Sequence, residues 1–244
     1  MKIRIWFGSG GILAFATLIL SIWPFTTLKT RQRMAQVWAG YNRRILAIFC
    51  GLRDYIEGLE QLPPPPFILF SKHQSAWETI TFHHIFPRFV LVLKHSLLYI
   101  PFFGWALLAT GQIAINRSKG MDALRKMRQQ GITHFKQGTS LVIFPEGTRM
   151  APGQIGHYNG GGIALALEAE VPIVPVAHNA GLFWPRRTFF KKPGLIHVKI
   201  GAPIYTSGMS PSDRKKILQI AQDRIESMMD EIEIERQKRA DSYF

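Results

Sequence analysis

Between residues 67 and 177 the chain alternates short apolar runs with stretches of helical periodicity. The runs at 67–71, 89–94, 112–116, 141–144 and 173–177 have strand length, and the segments 75–85, 121–136 and 162–168 carry helical patterns. This alternation predicts an α/β fold with a mixed, largely buried sheet flanked by helices. Four consecutive prolines at 63–66 fit neither a helix interior nor a central strand, so they read as a stiff connector. A boundary is expected near residues 52–66, dividing the chain into 1–51 and a larger domain over 52–244. At the other end Ser210 and Pro211 suit a helix start, and Ile217, Ile220, Ile225 and Met229 form the stripe of a packing helix.

The N-terminal pattern differs. From Ile5 to Phe25 the chain is almost continuously apolar and uncharged, long enough to cross a bilayer as a helix or to dip into one leaflet and return. Basic residues flank it on both sides (Lys2 and Arg4; Lys29, Arg31 and Arg33), so the positive-inside rule gives no orientation. Next, Met34, Val37, Trp38, Tyr41, Ile45 and Phe49 recur at three- to four-residue spacing with Arg43 and Arg44 off the stripe, which predicts an amphipathic helix able to lie in the interface. Together these segments predict an N-terminal two-helix membrane motif. The plainer alternative is that both helices pack on the domain.

Charge narrows the partners. A net charge of +14 is expected of a protein that meets phosphate-bearing molecules: nucleic acid, an anionic bilayer or an anionic small molecule. With no RNP motif, zinc-finger spacing or basic tract interleaved with stacking aromatics, nucleic acid is not the expected partner. Cys50 is the single cysteine, so no intramolecular disulfide can form, and no Cys/His cluster has the spacing of a structural zinc site. A membrane location with the catalytic domain facing the reducing cytosol is expected, and no metal site is.

Two segments carry candidate chemistry. After the first strand comes Lys72-His73-Gln74-Ser75-Ala76-Trp77-Glu78. On a regular helix His73 and Glu78 would not face each other, but with His73 on a loop and Glu78 in the first helical turn they can meet. The carboxylate would then fix the imidazole tautomer and stabilise the imidazolium. The structural alternative is a capping box, Ser75 to Glu78, in which Glu78 only closes the helix start. After the run 141–144 comes Pro145-Glu146-Gly147-Thr148-Arg149, a turn that places a hydroxyl and a guanidinium at its tip.

These two blocks resemble the glycerolipid acyltransferase family, the group containing the 1-acylglycerol-3-phosphate acyltransferases. Its signatures are a His-x-x-x-x-Asp block and a Phe-Pro-Glu-Gly-Thr-Arg block, the second present unaltered as Phe144 to Arg149. Gly111-Gln112-Ile113-Ala114-Ile115-Asn116-Arg117 and Val171-Pro172-Ile173-Val174-Pro175-Val176 are similar to two further family blocks, in the family's order, and Ile100 to Trp105 also looks familial. The departure is Glu78, one methylene longer than the usual aspartate.

The resemblance implies a fatty acyl transfer from acyl-CoA or acyl carrier protein to the free hydroxyl of 1-acyl-glycerol-3-phosphate, giving phosphatidic acid, without a cofactor. It implies that His73 is the base and Glu78 its partner. Arg117 and Arg149 would clamp the acceptor phosphate, and Glu146 would orient an arginine or contact the acceptor glycerol. Gly147 and Thr148 would let the backbone approach the substrate. Glu78 in place of aspartate leaves room for another lyso-lipid acceptor, and a basic, non-catalytic lipid-binding protein is the rival of a different class. Arg186, Arg187, Lys191 and Lys192, interleaved with Trp184, Phe189 and Phe190, form a basic aromatic loop suited to anionic headgroups or an acidic carrier protein.

Overall fold

The computed structural model describes residues 3–4 and 7–241, with side chains from residue 11 onward except those of residues 117 and 240. The strands are β1 (Ile3–Arg4), β2 (Leu52–Glu57), β3 (Ile68–Ser71), β4 (Phe89–Lys94), β5 (Ile113–Ile115), β6 (Ser140–Ile143), β7 (Ile173–His178), β8 (Phe190–Lys191) and β9 (Gly194–Ile200). The helices are α1 (Phe7–Ile22), α2 (Leu28–Cys50), α3 (Trp77–Ile85), α4 (Phe103–Ala109), α5 (Met121–Lys136), α6 (Gly161–Ala169), α7 (Ala180–Phe183) and α8 (Arg214–Asp241).

Seven strands form one sheet in the order β2-β9-β7-β3-β6-β4-β5. All neighbours run parallel except β7 and β9, so the sheet is mixed. The central strands β3, β6 and β7 are buried throughout, which is why their sequences lack polar alternation. One face packs on α5, α6 and α8 through Met127, Phe135, Ile163, Leu165, Ile217 and Ile225. The other packs on α2, α3 and α7 through Leu46, Cys50, Trp77, Phe82 and Ala180. The carboxyl ends of β3 and β6 lie side by side, the usual place for ligands in open α/β sheets.

Several elements differ from their sequence pattern. The stretch 52–57, read as part of a boundary, is strand β2 and pairs in register with β9 from Leu52–Gly194 to Glu57–Lys199. On α8 the buried line is Ile217, Ala221, Ile225, Met228 and Ile232, with Ile220 and Met229 only partly covered. On α2 part of the apolar stripe faces outward, and small residues make most of the contact with the domain. Ala35, Ala39, Gly40, Leu46 and Cys50 face the domain, while Val37, Tyr41 and Phe49 are exposed. The small residues allow close approach: a Cβ on Gly40 would sit 2.7 Å from His84 Nδ1.

The apolar run 5–25 forms a 16-residue helix, α1, followed by a 3-10 turn at Trp23–Phe25 that Pro24 favours. At about 24 Å, α1 is shorter than a bilayer's hydrocarbon core; residues 5 and 6 lie outside the described set. Among the described residues no helix is long and apolar enough to cross a membrane. Ala16 and Ile19 are buried against Ala106 and Ala109 of α4. Arg31 on α2 ties this corner together by donating to the carbonyls of Trp23, Thr26 and Ala109.

The first turn of α4 needs a glycine. A Cβ on Gly104 would lie 2.3 Å from the Leu98 carbonyl oxygen and 2.6 Å from Leu98 Cα, both backbone atoms that cannot swing aside. Gly104→Ala is therefore expected to destabilise the fold by about 1–3 kcal/mol, the usual cost of overpacking. Thermal or urea unfolding checks it, and a stability equal to the parent's would show that the turn at His95–Tyr99 yields freely.

Candidate active site

His73 and Phe144-to-Arg149 are distant in sequence but follow the neighbouring strands β3 and β6, and backbone bonds join their loops. Met150 N–H donates to the His73 carbonyl at 2.8 Å, and the His73 N–H donates to Glu146 Oε2 at 3.3 Å. The imidazole lies flat on Phe144, with ring centroids 4.0 Å apart and planes 16° apart. His73 keeps 16% of its side chain exposed, whereas Glu78 is fully buried.

Glu78 Oε1 gathers three donors. It lies 2.8 Å from His73 Nδ1, and it accepts from the N–H groups of Gln74 at 2.8 Å and Ser75 at 2.7 Å. One oxygen therefore makes both the contact a relay would need and the contacts that close the helix start. The full capping box does not form: Ser75 Oγ accepts from the Trp77 N–H and donates to the Trp184 carbonyl. Burial opposes ionisation of Glu78, but nearby His178 and the bonds from His73 and Ser75 outweigh it and hold the carboxyl below its ordinary value. An ionised Glu78 requires the proton on His73 Nδ1, which leaves Nε2 as the bare, basic ring nitrogen.

The second block makes a tight turn. Gly147 N–H donates to the Phe144 carbonyl at 3.0 Å, and Gly147 sits at φ 69°, where a side chain would be strained. Thr148 is exposed and Arg149 is partly exposed, and the Arg149 guanidinium has no carboxylate partner among the described residues. Arg186 donates to the Arg149 carbonyl at 2.8 Å, so the basic aromatic loop borders this turn. Glu146, by contrast, faces inward: its carboxylate takes Lys72 Nζ at 2.8 Å and the Gly156 N–H at 3.0 Å. The backbone of Arg117 opens the 3-10 turn after β5; its side chain lies outside the described residues.

Three buried groups around the site escaped the motif search. Lys72 is 1% exposed and pairs with Glu226 of α8, at 2.8 Å, as well as with Glu146. Tyr158 donates to the same Glu226 oxygen at 2.7 Å. His178, at the end of β7, accepts from the Ala180 N–H and donates through Nε2 to the Lys72 carbonyl at 2.9 Å. Burial lowers its pKa, against the opposing pull of the Glu78 carboxylate. Sequence offered one signal: a lysine abutting a fully buried strand must find carboxylates.

A cavity of about 390 Å³ borders Lys72, Gln74, Asn179 and Glu226, behind the loop that carries His73. Among the described residues Glu57, His197 and Glu235 come within metal-binding range of one another. That space is served by Lys199, whose ammonium lies 3.4 Å from Glu57 and 3.2 Å from Glu235.

A histidine hydrogen-bonded to a buried carboxylate, beside a turn whose guanidinium has no carboxylate partner among the described residues, is an arrangement suited to proton abstraction from a hydroxyl on an anionic molecule. The chain belongs to the acyltransferase family: the family model described as Acyltransferase matches residues 54–179. It is 39% identical over 225 residues to a 1-acyl-sn-glycerol-3-phosphate acyltransferase of Pseudomonas aeruginosa, covering 92% of this chain and 88% of that one. It is 30% identical over 167 residues to 1-acyl-sn-glycerol-3-phosphate acyltransferase alpha of mouse, covering 67% and 59%. The fold is also that of the 1-acyl-sn-glycerophosphate (LPA) acyltransferase crystal structure from Thermotoga maritima, with a TM-score of 0.71 at 19% identity over 91% of this chain and 90% of that one.

The shared oxygen of Glu78 sets a test. Glu78→Gln can keep an acceptor for the Gln74 and Ser75 N–H groups but removes the charge that supports imidazolium, so kcat is expected to fall roughly a hundredfold or more. Glu78→Asp keeps the charge and should retain more activity. Because Glu78 titrates below an unfolded carboxyl, its stabilisation is present above the unfolded pKa and is lost as pH falls through the folded value. The acid arm of a Tm-against-pH curve should flatten in Glu78→Gln. Full activity in that variant would leave Glu78 with the helix start alone.

Proposed function

We propose that this protein transfers a fatty acyl group from an acyl thioester, acyl-CoA or acyl carrier protein, to the free hydroxyl of 1-acyl-glycerol-3-phosphate, forming phosphatidic acid. The observation that carries this reading is the His73–Glu78 contact at 2.8 Å beside Arg149, which has no carboxylate partner among the described residues. His73 Nε2 takes the acceptor hydroxyl proton as the oxygen attacks the thioester carbonyl. The tetrahedral intermediate then collapses, the C–S bond breaks, and the imidazolium returns its proton to the departing thiolate. Glu78 stabilises the imidazolium between these steps. The thioester is already activated, so no covalent acyl-enzyme is needed.

Arg149 binds the acceptor phosphate with charge-assisted, bidentate bonds, and Arg117 is its expected partner in the clamp. Gly147 and Thr148 shape the turn against the acceptor. Glu146 acts through Lys72 and the His73 N–H to position the base. The proposed seat of the enzyme is a cytosol-facing membrane surface. Leu18, Trp23 and Phe25 beside α1, Val37 and Tyr41 on α2, and Tyr99 and Trp105 around α4 are all exposed, which supports α1, α2 and α4 resting in one bilayer interface.

A thiol-release assay with each donor against a panel of lyso-lipids tests the reaction. Release stimulated by 1-acyl-glycerol-3-phosphate, with phosphatidic acid as product, is expected, and His73→Ala should abolish it while leaving the fold intact. Stimulation by a different lyso-lipid alone would replace the acceptor, and lipid binding without release would favour the non-catalytic rival. Within the same assay Arg149→Ala should raise the acceptor KM roughly ten- to a hundredfold, the worth of a lost charge-assisted bond. The donor KM should move little; equal effects on both substrates would remove Arg149 from the acceptor clamp.

A further inference from the structure

Glu226 lies on α8, beyond the residues 54–179 that define the family's domain, yet it reaches the site through a continuous line of polar contacts. Its Oε1 is 2.8 Å from Lys72 Nζ; Lys72 Nζ is 2.8 Å from Glu146 Oε1; and Glu146 Oε2 accepts from the His73 N–H at 3.3 Å. Tyr158 holds the far end, donating to Glu226 Oε1 at 2.7 Å, with Lys72 Nζ 5.9 Å from its ring centroid. Burial and the bond to Glu226 push the Tyr158 phenol well above its ordinary pKa, so it stays a donor at any working pH.

The side of the catalytic loop that faces α8 borders a cavity lined by Ile155, Leu182, Met229 and Ile232 as well as by polar groups. Lys72, Gln74 and Glu226 are its polar lining next to the loop, and the Glu146–Lys72–Glu226 ion pairs connect loop and helix there. A buried lysine between carboxylates adds little net stability compared with apolar packing, because desolvation offsets the attraction. It does fix one geometry, since each charge tolerates only the arrangement in which its partners remain in reach.

We infer that Glu226 is a positioning residue for acyl transfer: through Lys72 and Glu146 it sets the backbone of His73, and with it the placement of the base against the acceptor hydroxyl. α8 is then part of the catalytic apparatus and not only a packing helix. The inference rests on the reading of His73 as the base.

The test measures kcat, both KM values and Tm for Glu226→Gln, Lys72→Met and their double variant in the full-length protein. Glutamine preserves shape and still accepts from Tyr158, so Glu226→Gln should fold. Misplacing a reacting group by a fraction of an ångström should lower kcat on the order of ten- to a hundredfold, with acceptor and donor KM within about twofold of the parent. Because the pair acts as one unit, the double variant should be no slower than the slower single variant. Glu226→Asp, which keeps the charge on a shorter arm, should recover part of the lost kcat.

Parent-like kcat in folded Glu226→Gln, or losses that multiply in the double variant, would overturn the inference. So would a kcat loss that only tracks the unfolded fraction at the assay temperature. An active His73→Ala protein would overturn both this inference and the assignment of the base. An inactive His73→Ala beside a fully active Glu226→Gln would overturn the inference alone.

Discussion

A single carboxylate oxygen, Oε1 of Glu78, determines the shape of this site. It lies within 2.8 Å of His73 Nδ1, Gln74 N and Ser75 N, and it does so fully buried, where an unpaired charge would be prohibitive. Those three contacts turn the chain out of β3, start α3 and fix the imidazole in one tautomer. The extra methylene of glutamate matters here, because the carboxylate must reach backward from the first helical turn to donors three to five residues earlier. The flat contact with Phe144 covers one face of the imidazole, and 16% of the side chain stays exposed.

The distribution of charge follows from the same demand. A chain of net charge +14 places acidic side chains where buried cations require them. On α8, Glu226 meets Lys72, while Glu231 and Glu235 meet Lys199. Glu146 is spent inside, on Lys72, so the turn that follows it presents an arginine with no compensating carboxylate among the described residues. Arg186 and Arg187 are exposed nearby. A positive mouth over an acid-braced interior suits an anionic acceptor better than a neutral one.

Sequence pattern located β3, β4, β5, β6 and β7 because strands buried on both faces must be continuously apolar. It passed over β2, whose Leu-Arg-Asp-Tyr-Ile-Glu alternation marks an edge strand with one face to solvent, next to prolines that suggest a linker. On α2 periodicity identified the helix, but its contact with the domain through Ala35, Ala39 and Gly40 was not legible, because small residues that allow close packing carry no apolar stripe. His73, Glu78 and the 144–149 turn were legible as motifs because they are contiguous. Lys72 with Glu226 was not: the partners are far apart in sequence, and a glutamate in a charged helix reads as solvated until the fold brings it to a buried lysine.

The claim on which the rest stands is that ionised Glu78 holds the proton of His73 on Nδ1 and leaves Nε2 free to take one. Nitrogen NMR of the protein labelled at histidine ring nitrogens measures this directly, since protonated and bare ring nitrogens differ sharply in shift and in proton coupling. With His73→Gln as the assignment control, the account predicts a protonated Nδ1 and a bare Nε2 for His73 at neutral pH. A His73 ring protonated on Nε2 would contradict it, because the nitrogen assigned to receive the hydroxyl proton would already be occupied.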